Sequence, residues 1–187
     1  MDRILVAYGS KYGSTAEIAE AIGRTLREHG FDVDVRRARD VRSLADYRAV
    51  VLGSAVYMKR WRGDAQRLLQ RHRDELSERD VWLFNSGPVG DTAGDRSDEA
   101  LKWIRPEKIR QLGERIGAHD DVVFGGSVDG ERGGFMRRNM AKNTPEATRD
   151  VRDWDEIATW TAGIAAALAG TAAETGTGSG SPPPDAA

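Results

Sequence analysis

Short apolar runs alternate with amphipathic segments along the first 170 residues of the chain. Runs rich in β-branched and aromatic residues predict five strands, and three of them, 4–8, 48–54 and 81–85, are apolar enough to be buried in a sheet. The run at 31–35 alternates between apolar and polar residues, as an edge strand does. The five predicted strands are 4–8, 31–35, 48–54, 81–85 and 121–125.

Between these runs the spacing of the apolar residues becomes helical. Ile18, Ile22 and Leu26 lie four residues apart, so they share one face of a helix that begins at Ser14 and stops before Gly30. The last helix begins near Asp153, which forms a capping pair with Glu156. The other predicted helices are one marked by residues 65–76, a short one around 100–104, one from 106 to 116, and the last one, which extends to 168.

Strands that alternate with helices predict an α/β fold, in which a doubly wound parallel sheet has helices on both faces. A ligand site is expected where the carboxyl ends of the strands meet beside the switch point of the sheet. Three segments converge there, namely 10–15, 54–62 and 85–91. Residues 1–170 are predicted to form one domain, and the aperiodic Gly/Ser/Pro-rich segment 171–187 a disordered tail.

The composition excludes several kinds of redox and catalytic site. The 187 residues include no cysteine, which excludes disulfides, iron–sulfur clusters and thiolate nucleophiles. Redox chemistry would therefore need a bound organic cofactor. His29, His72 and His119 lie far apart and are predicted to be solvated side chains, so no metal site is expected.

Charge and hydropathy bear on partners and location. The formal net charge is −2, and Glu174 and Asp185 of the predicted tail account for both negative charges. The predicted domain is therefore near neutral, and no nucleic-acid partner is expected. No signal peptide and no apolar segment long enough to span a bilayer is found, which predicts a cytoplasmic location.

The loop after the first strand is the main candidate for binding chemistry. Ser10, Ser14 and Thr15 surround Gly13, and a helix start supplies unpartnered N–H groups and partial positive charge that suit a phosphate. The alternative is a capping box, in which Ser14 and Glu17 satisfy the helix start without a ligand. The loop matches neither the G-x-G-x-x-G dinucleotide motif nor the P-loop motif.

Three segments carry a resemblance to flavodoxin-like proteins. They are the phosphate loop 10–15, the segment 53–57 and the segment 85–87. Within that fold the chain most resembles the branch that includes menaquinone-dependent protoporphyrinogen oxidase, an enzyme of haem biosynthesis. The likeness extends to 134–140 and 153–155, and so covers the chain up to about Leu168.

The resemblance implies a five-stranded sheet in the order 2-1-3-4-5 and FMN as the cofactor. The FMN phosphate would lie on the first loop. Tyr57 would form a wall for the flat ring, with Trp61 as the second choice. The alternative is that Tyr57 packs on a helix. The cofactor-binding residues implied are Ser10, Lys11, Tyr12, Gly13, Ser14, Thr15, Ser54, Ala55, Val56, Tyr57, Asn85, Ser86 and Gly87, with Gly90 also near the ring edge.

The implied activity is electron transfer from a reduced organic substrate, such as protoporphyrinogen, through FMN to a quinone. The basic run 59–62 suits an anionic porphyrin or an acidic lipid surface, unless it is simply a solvated helix start. The segment 133–140 is either a peripheral membrane contact or a packed connector. No catalytic acid or base is identified, and the acidic residues at 91–99 are expected to be solvated.

Three other functions compete with this one. The first is a flavodoxin-type electron carrier, which the basic run 59–62 argues against because such carriers are typically acidic around the flavin. The second is a flavodoxin-like domain that has lost FMN. The third, a response-regulator receiver, is set aside because Tyr8-Gly9-Ser10 and Gly53-Ser54 stand where that family needs acidic residues.

Overall fold

The computed structural model describes residues 3–87, 97, 101, 104–128 and 135–176. Every predicted strand is present, and a sixth strand of two residues follows the third. The strands are β1 (Arg3–Gly9), β2 (Asp32–Arg37), β3 (Tyr47–Tyr57), β4 (Arg60–Trp61), β5 (Asp80–Ser86) and β6 (Asp120–Phe124). The α-helices are α1 (Ser14–Glu28), α2 (Gly63–Arg71), α3 (Arg73–Leu76), α4 (Glu107–Arg115), α5 (Phe135–Asn143) and α6 (Trp154–Gly176), with 3-10 turns at Ala38–Asp40 and Glu146–Thr148.

The long strands form one parallel sheet in the order β2-β1-β3-β5-β6. With the two-residue β4 left out, this is the predicted order 2-1-3-4-5, so the predicted fold class is confirmed. The strand β4 is antiparallel to the end of β3 and pairs Val56 with Trp61 and Tyr57 with Arg60. Residues 55–57, which lie beyond the predicted end of this strand, are therefore strand, because Ala55 pairs with Ser86 of β5 while Val56 and Tyr57 pair with β4.

Both faces of the sheet carry a hydrophobic core, as the apolar runs predict. On one face α1 and α6 cover the sheet, and Ile18, Ile22 and Leu168 are completely buried. On the other face α2, α3 and α4 contribute Leu69, Leu76 and Ile109. Burial of such side chains stabilises a fold by roughly 1.5–3 kcal/mol each. The carboxyl ends of the strands are thereby fixed beside the start of α1.

The helices differ from prediction in two places. The predicted helix at 65–76 is divided into α2 and α3 at His72, which is only 6 % exposed and has its Nδ1 2.7 Å from Glu75 Oε1. The prediction that His72 is solvated was therefore wrong, because α2 ends by turning this ring inwards. His119, in contrast, is half-exposed and stacks on Trp82.

The last helix continues to Gly176, so residues 171–176 are helical and not part of a disordered tail. The run of alanine and glutamate there keeps a helix going where amphipathic spacing has already ended. The rest of the predicted tail, most of the predicted helix at 100–104, Gly90 and the acidic residues at 91, 95, 98 and 99 lie outside the described residues. Within the described part of the chain, no helix is both long and apolar enough to cross a bilayer.

Candidate functional site

The loop between β1 and α1 is shaped by its own hydroxyl and glycine. Ser10 Oγ accepts a hydrogen bond from the backbone N–H of Gly13 at 3.1 Å. Gly13 has φ +104°, a left-handed conformation that side chains disfavour, and it occupies the N-cap position of α1. Lys11 does not reach across the loop, because its Nζ lies 4.9 Å from the centroid of the Tyr12 ring.

The start of α1 has no side-chain cap. Gly13 is the N-cap and makes no side-chain cap hydrogen bond, and Ser14 is the first helical residue. The capping box considered for Ser14 and Glu17 is therefore wrong, since Ser14 lies inside the helix and not at its N-cap. The first intrahelical bond runs from Glu17 N–H to Gly13 O. The N–H groups of residues 14–16, in the first turn of α1, therefore have no acceptor within the helix.

Ser14 instead contacts a segment far along the chain. Its Oγ accepts the backbone N–H of Ser127 at 3.0 Å. A hydroxyl is both acceptor and donor, so Ser14 keeps its proton for a ligand while Ser127 fixes its position. Thr15 is almost completely buried at the base of the same turn, with 1 % of its surface exposed.

Ser127 is held by a crossing of two chain segments, 125–128 and 149–152, which we call the clasp. An antiparallel bridge joins Ser127 to Asp150, and two backbone bonds reinforce it, from Val128 N–H to Arg149 O at 2.7 Å and from Val151 N–H to Gly126 O at 3.1 Å. The two segments approach so closely that a Cβ at Gly125 would overlap the carbonyl of Val151.

Arg152 connects the clasp to α1. Its side chain is 8 % exposed, and its guanidinium donates to the carboxylates of Glu17 and Asp150. The same guanidinium lies 4.6 Å from the Trp154 ring centroid. Hydrogen bonds from Arg152 lower the pKa of Asp150 and keep this carboxylate charged. The negative charge of Glu17, in the first turn of α1, is therefore compensated within the fold.

The second segment reaches the site as the end of β3. Ser54 is fully buried and joins β3 to the start of α2, because its Oγ donates to Ala55 O at 3.0 Å and accepts the N–H of Arg62, the N-cap residue of α2, at 2.8 Å. Ala55 is buried and Val56 half-buried, so these residues build the floor rather than the rim. Tyr57 is 41 % exposed, and its ring meets that of Tyr12 edge-on, with centroids 6.4 Å apart.

Trp61 does not form a ring wall as predicted. It is 4 % exposed, and its Nε1–H donates to Asn85 Oδ1 at 2.7 Å. The Asn85 amide in turn donates to Asp121 Oδ1 at 2.6 Å and to Val122 O at 3.0 Å. The Trp61–Asn85–Asp121 chain therefore fastens β4 to β5 and β6, and it engages the whole amide of the completely buried Asn85. Burial raises the pKa of Asp121 above its ordinary value.

The third segment narrows to a turn after β5. Ser86 is 5 % exposed, and Gly87 has φ +125° and donates its N–H to Phe124 O at 3.1 Å. A glycine in this conformation allows the backbone to approach a ligand closely. Gly87, Tyr57 and the start of α1 follow the ends of adjacent strands, so the predicted convergence of the three segments is present.

The hairpin between β3 and β4 carries the basic residues of the site. Its two central residues, Met58 and Lys59, have φ of +48° and +59°, and the Met58 side chain is 92 % exposed. Arg60 is exposed opposite Tyr57 in the pair of strands. Arg62, in contrast, is half-buried, so the basic run is not simply a solvated helix start. Among the described residues, no group of three His, Asp or Glu side chains could hold a metal ion.

Comparison with known proteins gives one family and one fold. Residues 5–154 match the family model described as "Flavodoxin domain". No match was found among curated proteins. Among solved structures, a flavodoxin mutant from Pseudomonas aeruginosa has a TM-score of 0.58 at 18 % identity, with 89 % of this chain and 99 % of that chain covered.

Two further structures show the same fold. Oxidised flavodoxin 1 from Bacillus cereus has a TM-score of 0.54 at 15 % identity, over 90 % of this chain and 97 % of that chain. The rubredoxin oxygen:oxidoreductase from Desulfovibrio gigas has a TM-score of 0.60 at 18 % identity over 92 % of this chain. This chain covers only 37 % of the length of that oxidoreductase.

Proposed function

This chain belongs to the flavodoxin domain family and binds FMN, and we propose that it is an FMN-dependent oxidoreductase with its own organic substrate. In each catalytic turnover the substrate loses two electrons and two protons, as protoporphyrinogen would. A quinone-type acceptor gains two electrons and two protons and becomes a hydroquinone. FMN supplies the reversible two-electron acceptor that joins the two halves of the reaction. The chain needs this cofactor because it contains no cysteine that could carry the electrons.

The uncapped start of α1 is the observation that carries the proposal. A phosphate is the ligand that suits this turn, because it accepts several N–H groups and is favoured by the positive end of the helix dipole. Ser10 and Ser14 each accept a backbone N–H, which orients their hydroxyls while leaving a proton to donate. Arg152 compensates Glu17, the one acid in the first turn of α1, so that the turn does not repel an anion.

The residues around the mouth fit a flat aromatic ring. Tyr57 offers an exposed aromatic face, and Tyr12 holds it from the side. On the other side, Gly87 offers backbone without a side chain. We assign Tyr57 and Tyr12 to packing against the ring, and the main chain of 85–87 to its polar edge.

The proposal needs the acceptor to reach the site. Quinones are lipid-soluble, so a quinone acceptor implies a peripheral contact with a membrane. The candidate segment is α5, in which Arg138 is exposed. Cations on a short helix are attracted to an acidic lipid surface.

The first test is the absorption spectrum of the purified protein. We expect the two bands of oxidised flavin and the release of FMN on heating. Protoporphyrinogen supplied together with a menaquinone analogue should then yield porphyrin fluorescence at a rate proportional to bound FMN. A protein that stays colourless after incubation with FMN would contradict the proposal.

The second candidate function is that of an electron carrier without a substrate of its own. The match to a flavodoxin favours it, because 99 % of that chain aligns with 89 % of this one. A yellow protein that exchanges electrons with a redox partner, and yet produces no porphyrin above the FMN-free control, would favour the carrier.

A further inference from the structure

The clasp, which joins segments 125–128 and 149–152, turns one backbone N–H group towards the start of α1. Its two internal backbone bonds use the N–H groups of Val128 and Val151, so that the N–H of Ser127 takes no part in them. This N–H donates instead to Ser14 Oγ at 3.0 Å, across a separation of 113 residues. The clasp and the assigned cofactor site therefore meet at the Ser14 hydroxyl.

A second contact joins the clasp to the same turn of α1. Arg152 donates to both carboxylate oxygens of Asp150, the residue that pairs with Ser127 in the antiparallel bridge. Its remaining guanidinium nitrogen donates to Glu17, three residues after Ser14. Residues three apart lie on the same side of a helix, so the clasp contacts α1 at two neighbouring points. The first turn of α1 is thereby held in one position relative to the Ser127 N–H.

The contact from Ser127 determines what the Ser14 hydroxyl can offer a ligand. A hydroxyl has one proton and two acceptor lone pairs, and here a fixed N–H donor occupies its acceptor side. Its proton therefore adds one more donor to the N–H groups of residues 14–16, which have no acceptor within the helix. A turn that offers only donors favours a phosphate, which carries charge and accepts several hydrogen bonds, over a neutral alcohol, which accepts weakly and must also donate.

We propose that the clasp gives the cofactor site its selectivity for a phosphorylated flavin over the same flavin without its phosphate. Ser127 is the positioning residue, since its N–H acts on the ligand only through the Ser14 hydroxyl. The inference rests on the binding of FMN that the proposed function requires, and it is independent of the substrate and of the electron acceptor. The ring contacts assigned to Tyr57 and Tyr12 serve both flavins equally.

The test compares FMN with riboflavin, its dephosphorylated form, in fluorescence titrations of the flavin-free chain. Ser127→Pro removes the N–H group, whereas Ser127→Ala keeps this N–H and removes only the hydroxyl of residue 127. We expect Ser127→Pro to lower the FMN affinity about tenfold or more, because a donor to a charged group is lost, and to change the riboflavin affinity by less than about threefold. Ser127→Ala should bind both flavins as the unmodified chain does.

Three results of these titrations would overturn the inference. The first is an equal loss of affinity for both flavins in Ser127→Pro, which is what a merely structural role of the clasp predicts. The second is an unchanged affinity for both flavins in that variant. The third is a loss of FMN affinity in Ser127→Ala as large as that in Ser127→Pro, because the N–H group would then not be responsible.

A double-mutant cycle tests whether Ser127 acts through Ser14. Ser14→Ala alone should lower the FMN affinity about as much as Ser127→Pro does, and the combined variant should lower it no further, since both changes remove the same oriented hydroxyl. Losses that add up in the combined variant would contradict the positioning role, because Ser127 would then affect the ligand without this hydroxyl.

Gly125→Ala breaks the clasp without altering Ser127, and it also serves if Ser127→Pro does not fold. A Cβ at Gly125 would overlap the Val151 carbonyl, so the two segments must separate. The matched control is Gly113→Ala in α4, where a Cβ would press on the Leu83 side chain, on the face of the sheet opposite α1. Gly125→Ala should reduce the ratio of FMN affinity to riboflavin affinity about tenfold, and Gly113→Ala should leave it unchanged. Equal ratios in the two variants would overturn the inference.

The failure of this inference can be distinguished from the failure of the proposed function. If the flavin selectivity falls as expected but the unmodified protein does not oxidise protoporphyrinogen, the clasp assignment holds and the oxidoreductase proposal fails. If protoporphyrinogen is oxidised while Ser127→Pro keeps its full selectivity for FMN, the oxidoreductase proposal holds and the clasp assignment fails.

Discussion

At the start of α1, two distant segments position the polar groups, one through the Ser127 N–H and one through the Arg152 side chain. At the β3–β4 hairpin, in contrast, the polar groups project from a turn of two left-handed residues. Ser14 is fixed by Ser127, and Arg152 joins the clasp to Glu17. Met58, by comparison, is almost fully exposed at the tip of the hairpin. The first region has the rigidity that a permanently bound group needs, and the second has the exposure that an exchanging ligand needs.

The two regions also treat their carboxylates in opposite ways. Near α1, Arg152 lowers the pKa of Asp150 and thereby favours the charged form. Below the hairpin, burial raises the pKa of Asp121, which accepts an amide from Asn85 but has no ion pair among the described residues. The first region therefore stabilises the charged form of its carboxylate, and the second disfavours it.

The largest expected effect comes from Ser14→Glu, which breaks the first region. A carboxylate at the start of α1 would repel the phosphate and remove the acceptor for Ser127 N–H. We expect FMN affinity to fall at least about a hundredfold, since hydrogen bonds to charged groups contribute roughly 1.5–3 kcal/mol each. Fluorescence titration with FMN measures it. The control Ser43→Glu, on an exposed turn, should keep normal affinity, and an unchanged affinity in Ser14→Glu would refute the phosphate placement.

A smaller loss is expected for Arg152→Gln, which removes the charge that connects the clasp to α1. Glu17 and Asp150 would lose their shared partner, although both are half-exposed and so partly stabilised by water. We expect the free energy of unfolding to fall by about 1–3 kcal/mol, together with weaker FMN binding because Glu17 is uncompensated. Urea denaturation and FMN titration test this. Arg36→Gln removes an exposed guanidinium from Asp34, which keeps Tyr47 and Arg3 as partners, and should change stability by less than about 1 kcal/mol.

Asp121→Asn tests the second region through its pH dependence. The raised folded pKa means that Asp121 destabilises the fold above that pKa, and that the penalty disappears as pH falls towards the ordinary value of 3.8. The variant should therefore gain stability over the parent at neutral pH, and lose this advantage in the acid range. Thermal denaturation across pH measures the difference. A constant difference at all pH values would contradict the assignment, and Asp46→Asn is the surface control.

The smallest effect is expected for Met58→Asn in the hairpin. Asparagine tolerates positive φ better than methionine, so it should relieve part of the strain and raise the free energy of unfolding by about 0.5–1 kcal/mol. Met58→Leu keeps the strain and should change stability little. Equal stability of both variants, measured by urea denaturation, would show that the turn is not strained by its side chain.

The sheet could be predicted because its signals are local. The apolar runs 4–7, 49–52 and 81–84 are buried as their composition indicates, and the helical spacing of Ile18 and Ile22 gives the face of α1 correctly. The order of the strands needed the family resemblance in addition. The two-residue β4 was missed because so short a pairing leaves no periodic pattern.

The candidate site was predictable only in outline. The segments were placed correctly, but the capping box at Ser14 failed because Gly13 takes the N-cap position. The partner of Ser14 lies 113 residues away, and no local pattern reveals such a contact. Trp61 was taken as the second choice for a ring wall because it is an aromatic residue in the second segment of the mouth. Its position between exposed Arg60 and half-buried Arg62 carries the alternation that indicates an inward side chain.

The clasp has a consequence for the order in which the molecule becomes functional during synthesis. The loop at 10–15 emerges from the ribosome before the clasp, and the Ser14 hydroxyl and the Glu17 carboxylate find their partners only after residues 127 and 152 have been made. A nascent chain that ends before the clasp therefore carries the whole loop at 10–15, but lacks the contacts from Ser127 and Arg152. Capture of the cofactor is, on this view, among the last events of biogenesis.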